Sequence, residues 1–326
     1  MVRRIVAGGG LRDPAWRAAF AEVPRHLFVL GYAPEGGARH ADDGNGTDDG
    51  NGTDGTEGGA GSGADGSGAD GSGADGGLGA EAGCEDADGR GATRARLREL
   101  AGAYADRPIA THVRDGELVS SSSQPSLMAL MCEALLVADG QRVLEIGAGT
   151  GYNAALLAHR LGPGAVTTVD LDAEITEAAR AHLLAYGTPA ARSVTVVTGD
   201  GALGHRAGAP YDRIVATCEL PAIPPAWLEQ TRPGGLVLAP FATGLVRLTV
   251  HGPRRAEGRF LPTPAFFVPL RGASAGGPGR RGGLGERLFG RGPHPDRTRF
   301  GLSVDGDRQW VWLDDPAGPD VWEVGR

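Results

Sequence analysis

Apolar positions along the chain follow a helical period in two stretches and no period in a long segment between them. Between residues 11 and 23, apolar side chains recur every three or four positions up to Pro24, which predicts a helix that runs into a loop. Residues 124–137 repeat this spacing around Pro125, which suits a first helical turn. Residues 38–92 are rich in Asp and Gly and contain the repeat GSGAD. Because this segment has almost nothing to bury, it cannot offset its ordering entropy, and we expect a disordered insertion.

Short Val- and Ile-rich runs alternate with amphipathic helical stretches from residue 142 onward. The predicted strands span residues 142–146, 165–170, 194–198, 212–217 and 235–240, and the predicted helices span residues 152–161 and 173–186. This alternation is typical of an α/β fold with a doubly wound, mostly parallel sheet. The pattern stops near residue 253. Farther on, "RQWVWLDD" alternates again with Trp310 and Trp312 on one face, which predicts a small β element in a C-terminal extension.

Charge is distributed unevenly among the four parts that these patterns define, which are residues 1–37, 38–92, 93–252 and 253–326. The net charge is −8, but residues 41–89 hold 13 acidic side chains and no basic one, so the remainder is mildly basic. All 32 basic residues are arginine, which excludes lysine-based covalent chemistry. A local excess of arginine lies at residues 271–299.

Cysteine and histidine positions argue against a metal site. Cys84, Cys132 and Cys218 are widely spaced without a CxxC motif, and the histidines show no ligand spacing, so we expect neither a zinc site nor a disulfide framework. No apolar run reaches the length of a membrane span, and the first residues lack the apolar core of a signal peptide. We therefore expect a cytoplasmic protein without a membrane partner.

The strongest chemical signal is the run VLEIGAGTG at residues 143–151. An apolar strand carries Glu145 near its end, and Gly147, Ala148, Gly149 and Gly151 follow before a helix begins. Glycines at these positions let the backbone turn tightly against a ligand. The dinucleotide fingerprint GxGxxG fails because position 152 is tyrosine. An acidic residue followed by GxGxG is instead typical of Rossmann-like methyltransferases.

Two acidic residues downstream are candidate contacts of a nucleoside. Asp170 ends the second predicted strand, where a carboxylate can accept both ribose hydroxyls. The alternative, a helix-capping aspartate, is better filled by Asp172. Asp200 and Gly201 follow the third strand, where an adenine edge would lie. The alternative for Asp200 is a residue of an ordinary turn.

Several motifs in order resemble those of protein-L-isoaspartate O-methyltransferases. The matching runs are DPAWRAAFAEVPRHLFV, SSSQPS, RVLEIGAGTGYNAALLA, VTGDGALG, APYDRIVAT and IPPAWLEQTRPGG. The resemblance covers residues 11–33 and 94–245 and implies a Rossmann-like fold and the cofactor S-adenosyl-L-methionine (SAM). Within this family the chain is most similar to the methyltransferases encoded with FxLD-type lanthipeptide systems. Some relatives of that kind methylate an aspartate in a ribosomal peptide, which then closes to an aspartimide.

The resemblance also implies which residues face the acceptor. The family's Thr-Ile-Ser-Gln-Pro motif falls on Ser121 to Pro125, and Ser123 takes the hydroxyl position that contacts the reacting carboxylate. We predict Ser121, Ser122 and Ser123 as the catalytic residues. Ser122 stands where the family has Ile, and Ser126 stands where a large residue is usual, so we expect a more open and polar acceptor pocket. The alternative is that the serine run only caps the following helix.

We predict a SAM-dependent carboxyl O-methyltransferase that acts on a peptide or protein. A carboxylate is already ionised at neutral pH, so the absence of a recognisable catalytic base is expected. The preferred acceptor is an aspartate in a ribosomal peptide, such as a lanthipeptide precursor, leading to aspartimide. The alternatives are isoaspartate repair and non-catalytic SAM binding. Nucleic acid is disfavoured because the acidic insertion would repel phosphates and residues 271–299 carry a single aromatic side chain. The oligomeric state stays open.

Overall fold

The computed structural model describes residues 1–31, 85–275, 283–290 and 294–324. Residues 97–326 form one unit with residues 1–33, and residues 34–96 form a second, of which the first turns of one helix are described. The helices are α1 (Val2–Ala7), α2 (Pro14–Glu22), α3 (His26–Val29), α4 (Glu85–Ala103), α5 (Pro125–Ala134), α6 (Tyr152–Leu161), α7 (Ala173–Tyr186), α8 (Pro189–Arg192), α9 (Pro225–Gln230) and α10 (Gly283–Phe289). Among the described helices, none is both long and apolar enough to cross a membrane.

Helix α2 forms within residues 11–23, where the spacing of apolar residues predicts a helix. The Asp13 side chain accepts the backbone N–H of Ala15 at 2.8 Å and caps α2, and Trp16 and Phe20 are buried on its inner face. The prediction for the insertion is wrong at its C-terminal end, because residues 85–92 belong to α4. This stretch is followed by Ala, Arg, Leu and Glu, which favour the helix that continues from it. Residues 38–84 lie outside the described ranges.

Five strands form the predicted parallel half of the sheet. They are β3 (Val143–Ile146), β4 (Val166–Asp170), β5 (Thr195–Thr198), β6 (Tyr211–Ala216) and β7 (Thr231–Phe241). Their spatial order is β5-β4-β3-β6-β7, all neighbours parallel, which is the doubly wound arrangement and confirms the predicted fold class. The strand order reverses between β3 and β6. In such sheets ligands bind in the crevice beyond the carboxyl ends of the strands at this reversal.

The C-terminal strands continue the same sheet instead of forming a separate β element. They are β8 (Gly244–Gly252), β9 (Arg255–Pro264), β10 (Phe300–Asp305), β11 (Arg308–Leu313) and β12 (Val321–Glu323). Each pairs antiparallel with its neighbour from β7 outward, which makes a ten-stranded sheet. The predicted strand at Trp310 and Trp312 is confirmed as β11, and Trp312 is buried. The predicted boundary at residue 253 therefore falls between two strands of one hairpin.

A small hairpin that the apolar pattern did not reveal carries the serine run. Strands β1 (Ile109–Arg114) and β2 (Glu117–Ser122) pair antiparallel around the turn Asp115-Gly116. Both turn residues have positive φ, 53° and 79°, as a tight two-residue hairpin turn requires. Arg114 donates to Asp172 at 2.7 Å and ties the hairpin to the start of α7. This bond holds the turn end of the hairpin, and the other end of β2, at residues 120–122, lines the crevice between β3 and β6.

Candidate active site

A cavity of about 980 Å³, including the part open to solvent, lies at the point where the strand order reverses. It is lined by the ends of β2, β3, β4 and β6, by the start of α6 and by residues 268–271. Most of the predicted site residues come together here, namely Ser121, Ser122, Ser123, Glu145, Gly147, Ala148, Gly149, Asp170 and Gly201. A space of this size is typical of a small-molecule site.

The glycine loop between β3 and α6 approaches its neighbours too closely for side chains. Gly147 has φ +97°, and a Cβ atom there would overlap Oγ1 of Thr217. Thr217 donates this hydroxyl to the Gly147 carbonyl at 2.9 Å, which fixes the loop against the end of β6. At Gly149, φ is +50° and a Cβ would lie 3.6 Å from Oγ of Ser120, so the hairpin passes directly over the loop. The loop is a preformed backbone cradle.

Asp170 presents a largely buried carboxylate at the end of β4. Its side chain is 10% exposed, and Oδ2 accepts the backbone N–H of Gly149 at 3.2 Å. Burial raises the pKa of this carboxyl above its ordinary value, and the N–H donors together with Arg271 oppose that rise. Asp172 instead caps α7 by accepting the N–H of Glu174 at 3.0 Å. Asp172 therefore fills the helix-capping role, as the sequence predicts, and Asp170 lines the cavity.

The serine run connects β2 to α5 and does not cap this helix. Gln124 occupies the N-cap position without a side-chain bond, and Asp106 accepts the N–H of Ser126 at 2.8 Å. No described group binds the hydroxyls of Ser121 and Ser123, and both residues line the cavity. Because their donors are unused within the described chain, these hydroxyls can orient a polar ligand.

A sequence model of the protein-L-isoaspartate(D-aspartate) O-methyltransferase family matches residues 95–272, more than half of the chain. The chain belongs to this family. A relative named protein-L-isoaspartate O-methyltransferase from Methanosarcina mazei is 40% identical over 182 residues, which are 53% of this chain and 70% of that protein. Another relative of that name, from Methylorubrum populi, is 40% identical over 204 residues, covering 60% of this chain and 91% of that protein.

Solved structures of the family share the fold. One protein-L-isoaspartate O-methyltransferase superposes with a TM-score of 0.58 at 21% identity, covering 97% of this chain and 87% of its own. A β-aspartate methyltransferase from Plasmodium falciparum, in complex with S-adenosyl-L-homocysteine, superposes with a TM-score of 0.53 at 12% identity, covering 83% and 96%. At these identities the likeness establishes the architecture.

The family domain extends farther than the sequence motifs indicated. The match ends at residue 272, beyond the predicted limit of 252, so it includes β8, β9 and the segment 265–272. This segment returns to the cavity because Leu270 donates its N–H to the Glu219 carbonyl and Val268 accepts from Glu219, both at 2.8 Å. Its last residue in the cavity wall, Arg271, lies 3.8 Å from Asp170. Sequence reasoning missed this wall because its register depends on long-range backbone pairing.

Two predicted cofactor contacts lie outside the cavity wall. Asp200 uses its carboxylate in a turn, where it accepts the N–H groups of Ala202 at 3.0 Å and Ser274 at 2.9 Å. That is the alternative role considered from the sequence. Gly151 starts α6 with φ +81°, and a Cβ there would lie 3.2 Å from the Ala179 carbonyl oxygen. Asp200 and Gly151 are thus neighbours of residues that line the cavity and are not part of the lining themselves.

The chain's two described cysteines lie in the cavity wall as buried thiols. Burial raises the pKa of Cys218 to about 12 and also raises that of Cys132. A thiol that stays protonated at neutral pH is a poor nucleophile. Within the described ranges, no three His, Cys, Asp or Glu side chains converge as they would around a metal ion.

Glu145 is a buried carboxyl group that the fold holds on both sides. Its two oxygens accept from Nδ2 of Asn153 and from Oγ1 of Thr168, both at 2.6 Å. Burial raises its pKa from 4.5 to about 7, although these two hydrogen bonds favour the ionised form. The unfolded chain therefore holds fewer protons on this group than the folded chain between these pH values. It follows that Glu145 makes folding less favourable as pH rises through this window.

Replacing Glu145 with glutamine is expected to remove this pH dependence. Wild-type stability relative to the variant should fall between about pH 4.5 and 7 and stay constant above it, because both wild-type states are then ionised. Urea unfolding of both proteins at pH 5, 6, 7 and 8 measures the difference. Asp170 titrates in both proteins, so its contribution cancels. If the free energies of unfolding of the two proteins change with pH in parallel, the pKa of Glu145 is not raised in the folded chain.

Proposed function

We propose that this chain transfers the methyl group of SAM to the free carboxylate of isoaspartyl residues in peptides or proteins. The observation that carries the proposal is that one cavity joins the unused hydroxyls of Ser121 and Ser123 to the glycine loop and Asp170. Family membership and the names of the relatives support the same chemistry.

The residues at the glycine loop fit the cofactor. Gly147 and Gly149 let a ligand approach the backbone of the loop, and the Asp170 carboxylate at its edge can accept hydroxyls of a ribose. The Asp170 carboxylate favours a ligand that carries positive charge, whereas Glu145, with a pKa raised by burial to about 7, is only partly ionised at neutral pH. SAM, when bound, supplies a methyl group on a cationic sulfur that an in-line nucleophile displaces.

The residues at the hairpin end fit a carboxylate acceptor. Hydroxyl groups donate hydrogen bonds to a carboxylate, and an ionised carboxylate needs no base to act as nucleophile. The contribution of the chain is then to align the two reactants and to exclude water.

The preference for an aspartate in a ribosomal peptide loses support from the structure. Ser126, which was expected to open the acceptor pocket, lies outside the cavity wall and accepts Nε2 of Gln124 at 2.8 Å. In the arginine-rich stretch, Arg297 donates to the Thr243 carbonyl and Arg299 pairs with Asp314, so neither is free to attract an acidic precursor. Ser126, Arg297 and Arg299, which favoured peptide tailoring, are therefore engaged in contacts within the fold. Isoaspartate is the better-supported acceptor.

An acceptor panel tests the proposal. Transfer of label from SAM is measured to an isoaspartyl hexapeptide, to its normal-aspartyl twin and to a cyclised lanthipeptide precursor. We expect efficient turnover of the isoaspartyl peptide and none of the twin. Turnover of the precursor alone would instead support tailoring. SAM binding with no transfer to any acceptor would support a non-catalytic role.

A further inference from the structure

Arg25 is a buried cation behind the acceptor loop. Its side chain is 0% exposed, and it forms no ion pair with any residue that the structure describes. The carboxylate of Asp106 acts on it through space but is bound by the N–H of Ser126. A buried charge without a carboxylate partner is costly for folding. Such a charge calls for a functional explanation.

The hydrogen bonds of Arg25 all go to neutral oxygens. Nη1 donates to the carbonyls of Ala103 at 2.9 Å and Ala105 at 3.2 Å, which anchors the guanidinium at the end of α4. Nη2 donates to the Ser123 carbonyl at 3.0 Å and to Oγ of Ser122 at 3.3 Å. The guanidinium thus lies against Ser122 and Ser123, with the centre of the Tyr152 ring 5.9 Å away, and no described carboxylate pairs with it.

The hydroxyl of Ser122 accepts one hydrogen bond and donates none to the described residues. The residue is buried and belongs to the cavity lining, and its hydroxyl oxygen accepts from Arg25 at 3.3 Å. No described group accepts the proton of this hydroxyl. A hydroxyl whose oxygen is bound by a cation is polarised and becomes a stronger donor. An anion that enters the cavity is therefore the acceptor that the Ser122 hydroxyl binds most strongly.

We propose that Ser122 is a second contact of the acceptor carboxylate, beside Ser123, and that Arg25 is a positioning residue that polarises it. This inference rests on the proposed function, since it concerns the same acceptor. A carboxylate that enters a desolvated site loses hydration, and a hydrogen bond from the hydroxyl that Arg25 polarises offsets part of that cost. A neutral carboxamide accepts a weaker hydrogen bond from the same hydroxyl. The Arg25–Ser122 pair therefore selects ionised carboxylates.

The test is a double-mutant cycle with the isoaspartyl hexapeptide. Ser122→Ala is expected to raise KM about tenfold, equivalent to about 1.4 kcal/mol. The melting temperature should fall modestly because buried Arg25 loses one acceptor, and the dissociation constant of S-adenosylhomocysteine should stay unchanged. Ser122→Thr should restore most of the loss because it keeps the hydroxyl. Arg25→Lys should lower kcat/KM strongly in the wild-type background and only weakly in the S122A background, because its effect passes through Ser122.

The outcomes separate this inference from the proposed function. Wild-type enzyme that ignores the isoaspartyl peptide refutes the proposed function and overturns with it the acceptor contact at Ser122, which rests on that function. With active wild-type enzyme, unchanged kcat/KM in S122A overturns the Ser122 contact. Additive losses in the R25K/S122A double variant overturn the action of Arg25 through Ser122. Equal losses of peptide and S-adenosylhomocysteine affinity in S122A would indicate a purely structural serine and also overturn it.

Discussion

Replacing Gly147 with alanine is expected to weaken S-adenosylhomocysteine binding about a hundredfold, equivalent to about 2.7 kcal/mol. The new methyl group would overlap Oγ1 of Thr217, which is held by its bond to the Gly147 carbonyl. The φ of +97° adds strain of about 1–3 kcal/mol for any residue with a Cβ. The loop must therefore move into the space that the ligand needs. Isothermal calorimetry measures the loss of affinity, and thermal unfolding measures the loss of stability.

Gly140 offers a matched control for this substitution. It has φ +77°, but a Cβ there meets no atom within 4 Å. Gly140→Ala should lower stability through backbone strain alone and leave the affinity for S-adenosylhomocysteine unchanged. Equal affinities of the two variants would show that the glycine loop is not part of the ligand site.

Asp170→Ala is expected to raise the dissociation constant of S-adenosylhomocysteine about a hundredfold. Two charge-assisted hydrogen bonds to ribose, at about 1.5 kcal/mol each, account for that factor. The ion pair of Asp170 with Arg271 is long, at 3.8 Å, and partly exposed, so its loss should contribute little to stability. Calorimetry at constant pH measures the effect. An unchanged dissociation constant would remove Asp170 from the site.

Asp172→Ala controls for the neighbouring carboxylate. Loss of the α7 cap should lower stability by about 1 kcal/mol. Its side chain does not line the cavity, so the affinity for S-adenosylhomocysteine should stay at the wild-type value. A loss of affinity equal to that of the Asp170 variant would mean that the hairpin anchor at Arg114, not a direct contact, controls binding.

The parallel half of the sheet could be predicted because its signals are local. Strands β3 to β7 are apolar runs, and the turn from β3 into α6 needs glycine for reasons that concern only its own backbone. Asp170 and Gly147 meet because carboxyl ends of adjacent parallel strands share one edge. The site half that binds a nucleoside is thus largely readable from residue spacing.

The acceptor half depends on contacts that spacing does not encode. In the sequence, only the turn residues Asp115-Gly116 indicate the hairpin β1–β2, because its strands are short and partly polar. Arg25 lies in a recognisable N-terminal motif, yet its bonds to Ser122 and Ser123 join distant parts of the chain. Arg271 reaches the cavity through backbone pairing at Glu219. Such long-range partners become visible only in the folded chain.

The most direct measurement of the central claim is a competition followed by mass spectrometry. Equimolar isoaspartyl and normal-aspartyl hexapeptides, one of them isotopically marked, are incubated together with enzyme and SAM. We expect a methyl ester on the isoaspartyl carboxylate alone, followed by imide formation and the appearance of normal aspartate. Equal methylation of both peptides, or methylation of the normal aspartate alone, would contradict it.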